Sequence, residues 1–303
     1  MTENEADALL PAMMEARDRF MELVDAVRPE LHRYCARMTG SVIDGEDVVQ
    51  ETLAKAYYAL GQMMEPPNLR PWLFRIAHNA AMDFLKRADH RYLELVETVP
   101  ERPDVQERAV DPELVEAALA VFVELPPVQR SAIVLKDVLG HTLEEVATTM
   151  ETTVGAVKAA LSRARANLAR APRPSPARAA RSMAPEEEAV LRRYVNLFND
   201  RDWAGLRALL GEESRLEIVS RIQRRALDAG YYDRYAEITQ TEDLRAELGV
   251  VDGLPAIAVF RPADAPTPAY FMIIEVDGGA VARVRDFRYI PYIARDASFL
   301  RSQ

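Results

Sequence analysis

The chain has 303 residues, 49% of them hydrophobic and 28% charged, a composition typical of folded soluble proteins and long enough for about two domains. Because 48 acidic side chains outnumber 38 basic ones, the net charge is −10. This excludes a protein that coats nucleic acid through its overall charge, so any DNA contact requires a local basic patch. The single cysteine, Cys35, excludes a disulfide framework and a multi-cysteine zinc site. The N-terminus has no signal-peptide pattern and no apolar run approaches about 18 residues, so we expect a cytoplasmic protein without a membrane span.

Helices are predicted from residue 9 to about residue 98, because apolar side chains recur there at steps of three and four residues. Asp44 is the predicted N-cap of a helix over residues 46–60. The outer face of this helix is acidic, which disfavours DNA phosphates and indicates either a basic protein partner or a plain solvated surface. That face consists of Asp44, Glu46, Asp47, Gln50 and Glu51.

A second helix is predicted to begin at Pro71, a residue that the first turn of a helix tolerates, and to bury Leu73 and Phe84. The opposite face carries residue types that read base edges or stack on bases, although an ordinary exposed face has the same pattern. That face consists of Arg75, His78, Asn79, Met82, Asp83 and Lys86.

The most specific pattern lies at residues 141–168. Thr142, with Glu145 three residues later, predicts a capping box at the start of a short helix, and Thr153 is the predicted N-cap of the next helix. Two short amphipathic helices joined by a tight turn form a helix-turn-helix, whose second helix enters the major groove of DNA. From Thr152 to Pro185 there are seven basic residues and no acidic one, which favours phosphate contact over a plain solvated face.

Two proline-bearing segments divide the chain. Residues 99–111 and 171–185 are predicted linkers, the second stiffened by four prolines. They separate two helical blocks, over residues 1–98 and 112–170, from an α+β segment over residues 186–303. In this last segment we predict helices over 186–199 and 203–210 and strands over 215–219, 256–260, 269–276 and 280–289. Asp277-Gly278-Gly279 predicts a hairpin turn between the last two strands.

Three motifs in this order resemble the sigma-70 family, and within it the small extracytoplasmic-function (ECF) RNA polymerase sigma factors. DGEDVVQETLAKAYYAL (44–60) resembles the core-polymerase-binding helix of region two. RPWLFRIAHNAAMDFLKR (70–87) resembles the helix of the same region that melts and reads the −10 promoter element. LPPVQRSAIVLKDVLGHTLEEVATTMETTVGAVKAALSRARANL (125–168) resembles the helix-turn-helix of region four, which reads the −35 element. The resemblance covers about residues 10–170.

The resemblance implies a sigma factor that binds core RNA polymerase, directs it to specific promoters and promotes the initiation of transcription. It implies no catalytic residue, no metal and no cofactor. The residues that would dock on core RNA polymerase are Asp44, Asp47, Gln50 and Glu51. Those that would face the single-stranded −10 element are Lys55, Tyr58, Arg75, His78 and Asn79, with Asn79 the best candidate for a base contact. Those that would face the −35 element are Thr153, Gly155, Lys158, Ser162, Arg163 and Arg165.

The C-terminal segment resembles the SnoaL-like branch of the NTF2-like fold, in which helices and a curved sheet form a cone. The resemblance rests on LRRYVNLFNDRDWAGLRALL (191–210), DGLPAIAVF (252–260) and YFMIIEVDGGAVARVRDFRYIPYI (270–293). The resemblance to sigma factors that carry such an extension implies that residues 186–303 regulate promoter binding in cis. The direction of this regulation, and any small ligand of the domain, are left open.

Two other functions remain as alternatives. The first is a SnoaL-like isomerase or cyclase fused to a DNA-binding module. All four histidines lie outside the C-terminal segment, so its candidate catalytic residues would be Tyr231, Tyr232, Tyr235 and Asp286. The second is a helix-turn-helix repressor that never meets RNA polymerase. The acidic helix over residues 44–60 favours the sigma factor, because a repressor has no need of it.

Overall fold

A computed structural model describes residues 22, 24–60, 62, 68–93, 120–170, 183–219, 224–227, 230–297 and 299–302. The chain divides into two compact units, Met1–Pro172 and Arg173–Gln303. The predicted linker over residues 99–111, residues 171–182 of the second linker and the predicted helix before residue 22 lie outside the described residues. Within the described ranges, no helix is both long enough and apolar enough to cross a membrane.

The described part of the first unit is helical. Helix α1 covers residues 24–39. It is followed by α2 (Val42–Leu60), α3 (Leu69–Leu93), α4 (Ala120–Val123), α5 (Pro127–Ile133), a π-helical turn (Val134–Val138), α6 (Leu143–Thr149) and α7 (Val154–Arg170).

Helix α2 begins earlier than predicted, and Asp44 is not its N-cap. The backbone N–H of Asp44 donates to Ser41 Oγ at 3.2 Å, so Ser41 caps the helix and Asp44 lies in the first turn, where its charge favours the helix dipole. The turn before it uses Gly40 at φ +80°, a conformation that glycine adopts readily. Gly45 allows α2 to approach α1 closely, since a Cβ there would lie 2.6 Å from the Ala36 backbone.

One continuous apolar core joins the described helices of the first unit. It contains Leu31 of α1, Phe74 of α3, Ile133 of α5 and Val146 of α6, each at most 2% exposed. The two predicted helical blocks therefore pack against each other in this conformation.

Helices α6 and α7 form the predicted helix-turn-helix, and both predicted caps are confirmed. The Glu145 N–H donates to Thr142 Oγ1 at 3.2 Å, while the Thr142 N–H donates to Glu145 Oε2 at 2.7 Å. The Ala156 N–H donates to Thr153 Oγ1 at 3.2 Å at the start of α7. In the turn between them, Glu151 has a left-handed backbone with φ +51°.

The second unit is α+β. Its helices are α8 (Pro185–Asn199), α9 (Trp203–Ala208), α10 (Gly230–Ile238) and α11 (Pro291–Asp296), and its strands are β1 (Leu210–Val219), β2 (Arg224–Leu227), β3 (Arg245–Val251), β4 (Leu254–Phe260), β5 (Tyr270–Asp277), β6 (Ala280–Asp286) and β7 (Phe299–Arg301). Among the described residues these strands form one sheet in the order β2-β1-β6-β5-β4-β3-β7. Strands β1 and β6 are parallel and the other neighbours are antiparallel.

The hairpin predicted at Asp277-Gly278-Gly279 is confirmed, since Asp277 pairs with Ala280 and both glycines have positive φ. A second hairpin of the same kind was missed: Asp252 and Gly253, at φ +52° and +83°, join β3 to β4. Helix α9 ends two residues before the predicted end, and β1 begins at Leu210 instead of residue 215. Helix α10 was also missed, although Tyr231, Tyr235 and Ile238 recur at steps of four and three residues, because the segment is short and its buried side chains are mostly tyrosines.

Candidate promoter-binding and polymerase-binding surfaces

The four candidate polymerase-binding residues lie on α2, and each is partly exposed: Asp44, Asp47, Gln50 and Glu51. Glu46, which was expected on the same face, is fully buried, and this expectation was wrong. It forms an ion pair with Arg28 of α1 and accepts a hydrogen bond from Gln50 Nε2 at 2.8 Å. The physical reason is helical spacing, because residue 46 lies one turn from both Val42 and Val49 on the packed face.

Glu51, a candidate polymerase-binding residue, contacts Lys55, a candidate −10 residue of the same helix. Its Oε1 lies 2.7 Å from Lys55 Nζ, and its Oε2 accepts from Arg87 Nη2 of α3 at 3.2 Å. Partial burial works against the charged carboxylate, but the hydrogen bonds from Lys55 and Arg87 outweigh it and lower the pKa of Glu51.

Three of the five candidate −10 residues are exposed as predicted. Lys55 and Tyr58 project from α2, with Tyr58 73% exposed, and Asn79 projects from α3. Arg75 is partly exposed, and its Nε lies 4.0 Å from a carboxylate oxygen of Glu151.

His78 was expected on the exposed face of α3, but it is 7% exposed, and this expectation was wrong for the conformation observed. Its Nδ1 lies 3.0 Å from both the Tyr34 hydroxyl and Ser131 Oγ, which are 2.9 Å from each other. Burial lowers the pKa of His78 to about 4, so the ring is neutral at pH 7.

The candidate −35 residues lie on or just before α7. Thr153, Gly155, Lys158 and Arg163 are exposed, and Ser162 is partly buried. Within the described part of the chain, Lys158 and Arg163 form no ion pair. Arg165 differs from them, because its guanidinium binds the Asp137 carboxylate through Nε at 3.0 Å and Nη2 at 2.9 Å.

Comparisons with known proteins identify the family to which the helical part of the chain is similar. Family models match for Sigma-70 region 2 over residues 23–91 and for Sigma-70 region 4 over residues 116–168. The chain is 30% identical over 310 aligned positions to the ECF RNA polymerase sigma factor SigG of Mycobacterium tuberculosis, which covers 90% of this chain and 82% of SigG. The chain belongs to the ECF sigma factors.

Two further similarities concern other ECF sigma factors. SigM of M. tuberculosis is 32% identical over 168 positions, which cover 54% of this chain and 84% of SigM. Among solved structures, the M. tuberculosis sigma factor SigJ has 22% identity and a TM-score of 0.35, over 89% of this chain and 95% of SigJ. The two family models and the similarity to SigG confirm the predicted family, and neither the enzyme nor the repressor is favoured.

In this ECF sigma factor, regions two and four meet through polar side chains that sequence reasoning missed. Arg130 of α5 is buried and donates to the Met38 carbonyl oxygen at the end of α1. Arg70 of α3 donates to Glu30 of α1 at 3.1 Å and lies 3.2 Å from His141 Nε2, just before α6. These residues are far apart in sequence and have no shared motif, so no local signal could have paired them.

The C-terminal unit of the sigma factor contains a buried cluster around Asp286. Asp286 Oδ2 accepts from the hydroxyls of Tyr231 at 3.0 Å and Tyr235 at 2.8 Å, and Oδ1 accepts from the Arg288 N–H at 2.9 Å. Burial raises the pKa of Tyr231 and Tyr235, and raises that of Tyr232 to about 12. These hydroxyls therefore keep their protons at neutral pH and act as hydrogen-bond donors.

Proposed function

We propose that this ECF sigma factor directs core RNA polymerase to specific promoters through three separate surfaces of its first unit. The acidic face of α2 binds the polymerase, the exposed residues of α2 and α3 bind the −10 element, and α7 binds the −35 element. The observation that best supports this is the capped helix-turn-helix, whose second helix presents the exposed cations of Lys158 and Arg163. The sigma factor supplies binding energy and specificity, and the polymerase supplies the chemistry.

The −10 surface is tested with Asn79→Ala in the reconstituted holoenzyme. Asn79 is exposed and carries both a donor and an acceptor for a base edge. We expect open-complex formation on a mapped promoter to fall by about tenfold or more, with binding to core polymerase unchanged. The matched control is Asn196→Ala, the same change at an exposed position of α8, outside the proposed −10 surface. Equal effects of the two substitutions would contradict a base-reading role for Asn79.

The role of His78 requires a change of conformation. While His78 bonds to Tyr34 and Ser131, the α5 segment of region four covers it. We therefore propose that regions two and four separate when the holoenzyme forms, which exposes His78 beside Asn79. Separation also gives two DNA-binding modules the freedom to reach promoter elements that lie apart.

The polymerase-binding surface is tested with the double substitution Asp47→Lys/Gln50→Lys. Both residues are partly exposed on α2, and neither belongs to its buried apolar stripe, although Gln50 donates to the buried Glu46. We expect these added positive charges to weaken binding to core polymerase, while the circular dichroism spectrum of the full chain stays the same. Normal holoenzyme assembly by this variant would contradict the assignment.

The C-terminal unit is proposed to regulate promoter binding in cis, in the cytoplasm, where core polymerase acts. No observation favours catalysis in this unit over regulation. The Asp286 carboxylate is fully buried and already accepts hydrogen bonds from two tyrosines and a backbone N–H, an arrangement that also serves a folded core.

A further inference from the structure

The three basic side chains of α7 expected to face the −35 element are not equivalent. Lys158 and Arg163 are exposed, whereas Arg165 forms a bidentate ion pair with Asp137, at 2.9 and 3.0 Å. The Asp137 side chain is only 17% exposed and that of Arg165 is 36% exposed. A planar guanidinium that meets a carboxylate in this way is held in one orientation.

This pair changes what Arg165 can contribute to DNA binding. The guanidinium and carboxylate together carry no net charge, so they attract phosphates far less than Lys158 or Arg163 does. If Arg165 turned to a phosphate, it would leave the Asp137 carboxylate unpaired and mostly buried, next to a polyanion. Breaking a partly buried, hydrogen-bonded pair is unfavourable for this reason.

The position of the pair indicates another role. Asp137 lies in the π-helical turn between α5 and the helix-turn-helix, and a second hydrogen bond joins Asn167 of α7, two residues after Arg165, to Gln129 of α5 at 2.9 Å. Arg165 and Lys158 are seven residues apart, about two helical turns, so they lie on the same side of α7. The buried stripe of α7 packs against the core, and holding Arg165 adds a polar restraint on the direction in which the Lys158 side of the helix points.

We propose that Arg165 is a positioning residue and not a DNA contact, and that Asp137, outside the recognition helix, is a determinant of promoter specificity. Together with the buried stripe of α7, the pair sets the rotation of the helix about its own axis, and this rotation decides which base edges its exposed residues meet. The inference rests on the proposed function of α7 at the −35 element.

The test compares salt dependence with specificity in the reconstituted holoenzyme. Binding is measured across a salt series on a duplex carrying a mapped promoter and on a duplex with its −35 element scrambled. Arg163→Gln, the matched control, should reduce the slope of log K against log salt by about one on both duplexes, as expected for a lost phosphate contact. Asp137→Asn/Arg165→Gln, which removes both charges, should leave both slopes unchanged.

The same double variant should lose roughly tenfold in affinity for the promoter duplex, the effect of about one mismatched base pair, and nothing on the scrambled duplex. Arg165→Lys keeps the charge but loses the bidentate geometry, so it should show the same selective loss. Circular dichroism and binding to core polymerase verify that both variants fold.

Three results would overturn the inference. A slope reduced by about one in the double variant would make Arg165 a phosphate contact. Unchanged promoter affinity in both the double variant and Arg165→Lys would show that the pair does not position α7. If Arg163→Gln and Lys158→Gln also had no effect on either duplex, the proposed −35 role of α7 would fail as well.

Discussion

At the scale of single residues, burial decides which of the predicted polar groups are available for binding. Asn79 and His78 are neighbours on α3 with equally suitable chemistry for bases, yet one is exposed and the other lies between Tyr34 and Ser131. Glu46 and Asp47 differ in the same way on α2. Neighbouring positions on a helix point about 100° apart, so one of two adjacent residues can pack while the other stays in solvent.

The buried state of His78 predicts a pH dependence. Its pKa of about 4 lies below the 6.5 of an exposed histidine, so the neutral ring stabilises the fold fully above pH 6.5, and this contribution is lost as the pH falls from 6.5 towards 4. At about 1.4 kcal/mol per pKa unit, the loss reaches about 3 kcal/mol. We expect His78→Gln to make the free energy of unfolding less dependent on pH in this window.

NMR titration of the ring protons measures the same property directly, with His78→Gln identifying the signal among four histidines. A His78 pKa near 6.5 in the isolated chain would contradict the buried arrangement. Binding to core polymerase should raise the pKa towards 6.5, because the proposed separation of regions two and four exposes the ring.

At the scale of elements, side chains close in sequence determine where helices and turns begin. The capping box of α6 and the Gly278-Gly279 hairpin rely on residues at most three positions apart, and both were predicted correctly. Asp44 was assigned as a cap wrongly, because Ser41 also has a capping side chain and the Gly40 turn places Ser41 at the helix start. The sequence contains two possible capping residues, Ser41 and Asp44, and the backbone conformation before the helix determines which of them caps it.

The capping box predicts a local stability effect. Thr142→Ala removes the acceptor for the Glu145 N–H and should destabilise α6 by about 1 kcal/mol. The measurement is amide hydrogen exchange over residues 143–149. Thr148→Ala, the same change at an exposed position inside the same helix, should have little effect, since alanine has the highest helix propensity. Equal increases in exchange for the two variants would contradict the role of the cap.

At the scale of the whole molecule, the prediction concerns the predicted linker over residues 171–185, which joins the two units as a tether. A chain truncated after residue 172 should differ from the full chain in holoenzyme transcription from a mapped promoter, because it lacks the proposed cis regulator. Cleavage at a protease site inserted within residues 171–182 should reproduce the change after dilution, because a tether keeps its two ends at about millimolar effective concentration.

The uncut chain carrying the inserted site is the control for the cleavage experiment. Identical transcription by the full, truncated and cleaved chains would remove the proposal of cis regulation. If truncation changes transcription but cleavage of the linker does not, the C-terminal unit acts without needing the tether.

The family, the order of the sigma regions, the helix-turn-helix with its two caps, and the α+β character of the last third could be read from the sequence. These properties depend on local spacing: apolar periodicity, capping residues three apart, and glycines that permit a tight turn. These signals can be recognised in the sequence without knowing how distant segments pack.

Only the tertiary structure determines which residues of each predicted surface are available for binding. Tyr34, His78 and Ser131 meet across separations of up to 97 residues, and Asp137 reaches Arg165 from 28 residues away. Helical periodicity determines the face on which a residue lies, but whether another segment covers that face or pairs its charge depends on long-range packing. For this reason His78 and Arg165 matched the family pattern, yet in this conformation one is buried and the other is held by a carboxylate.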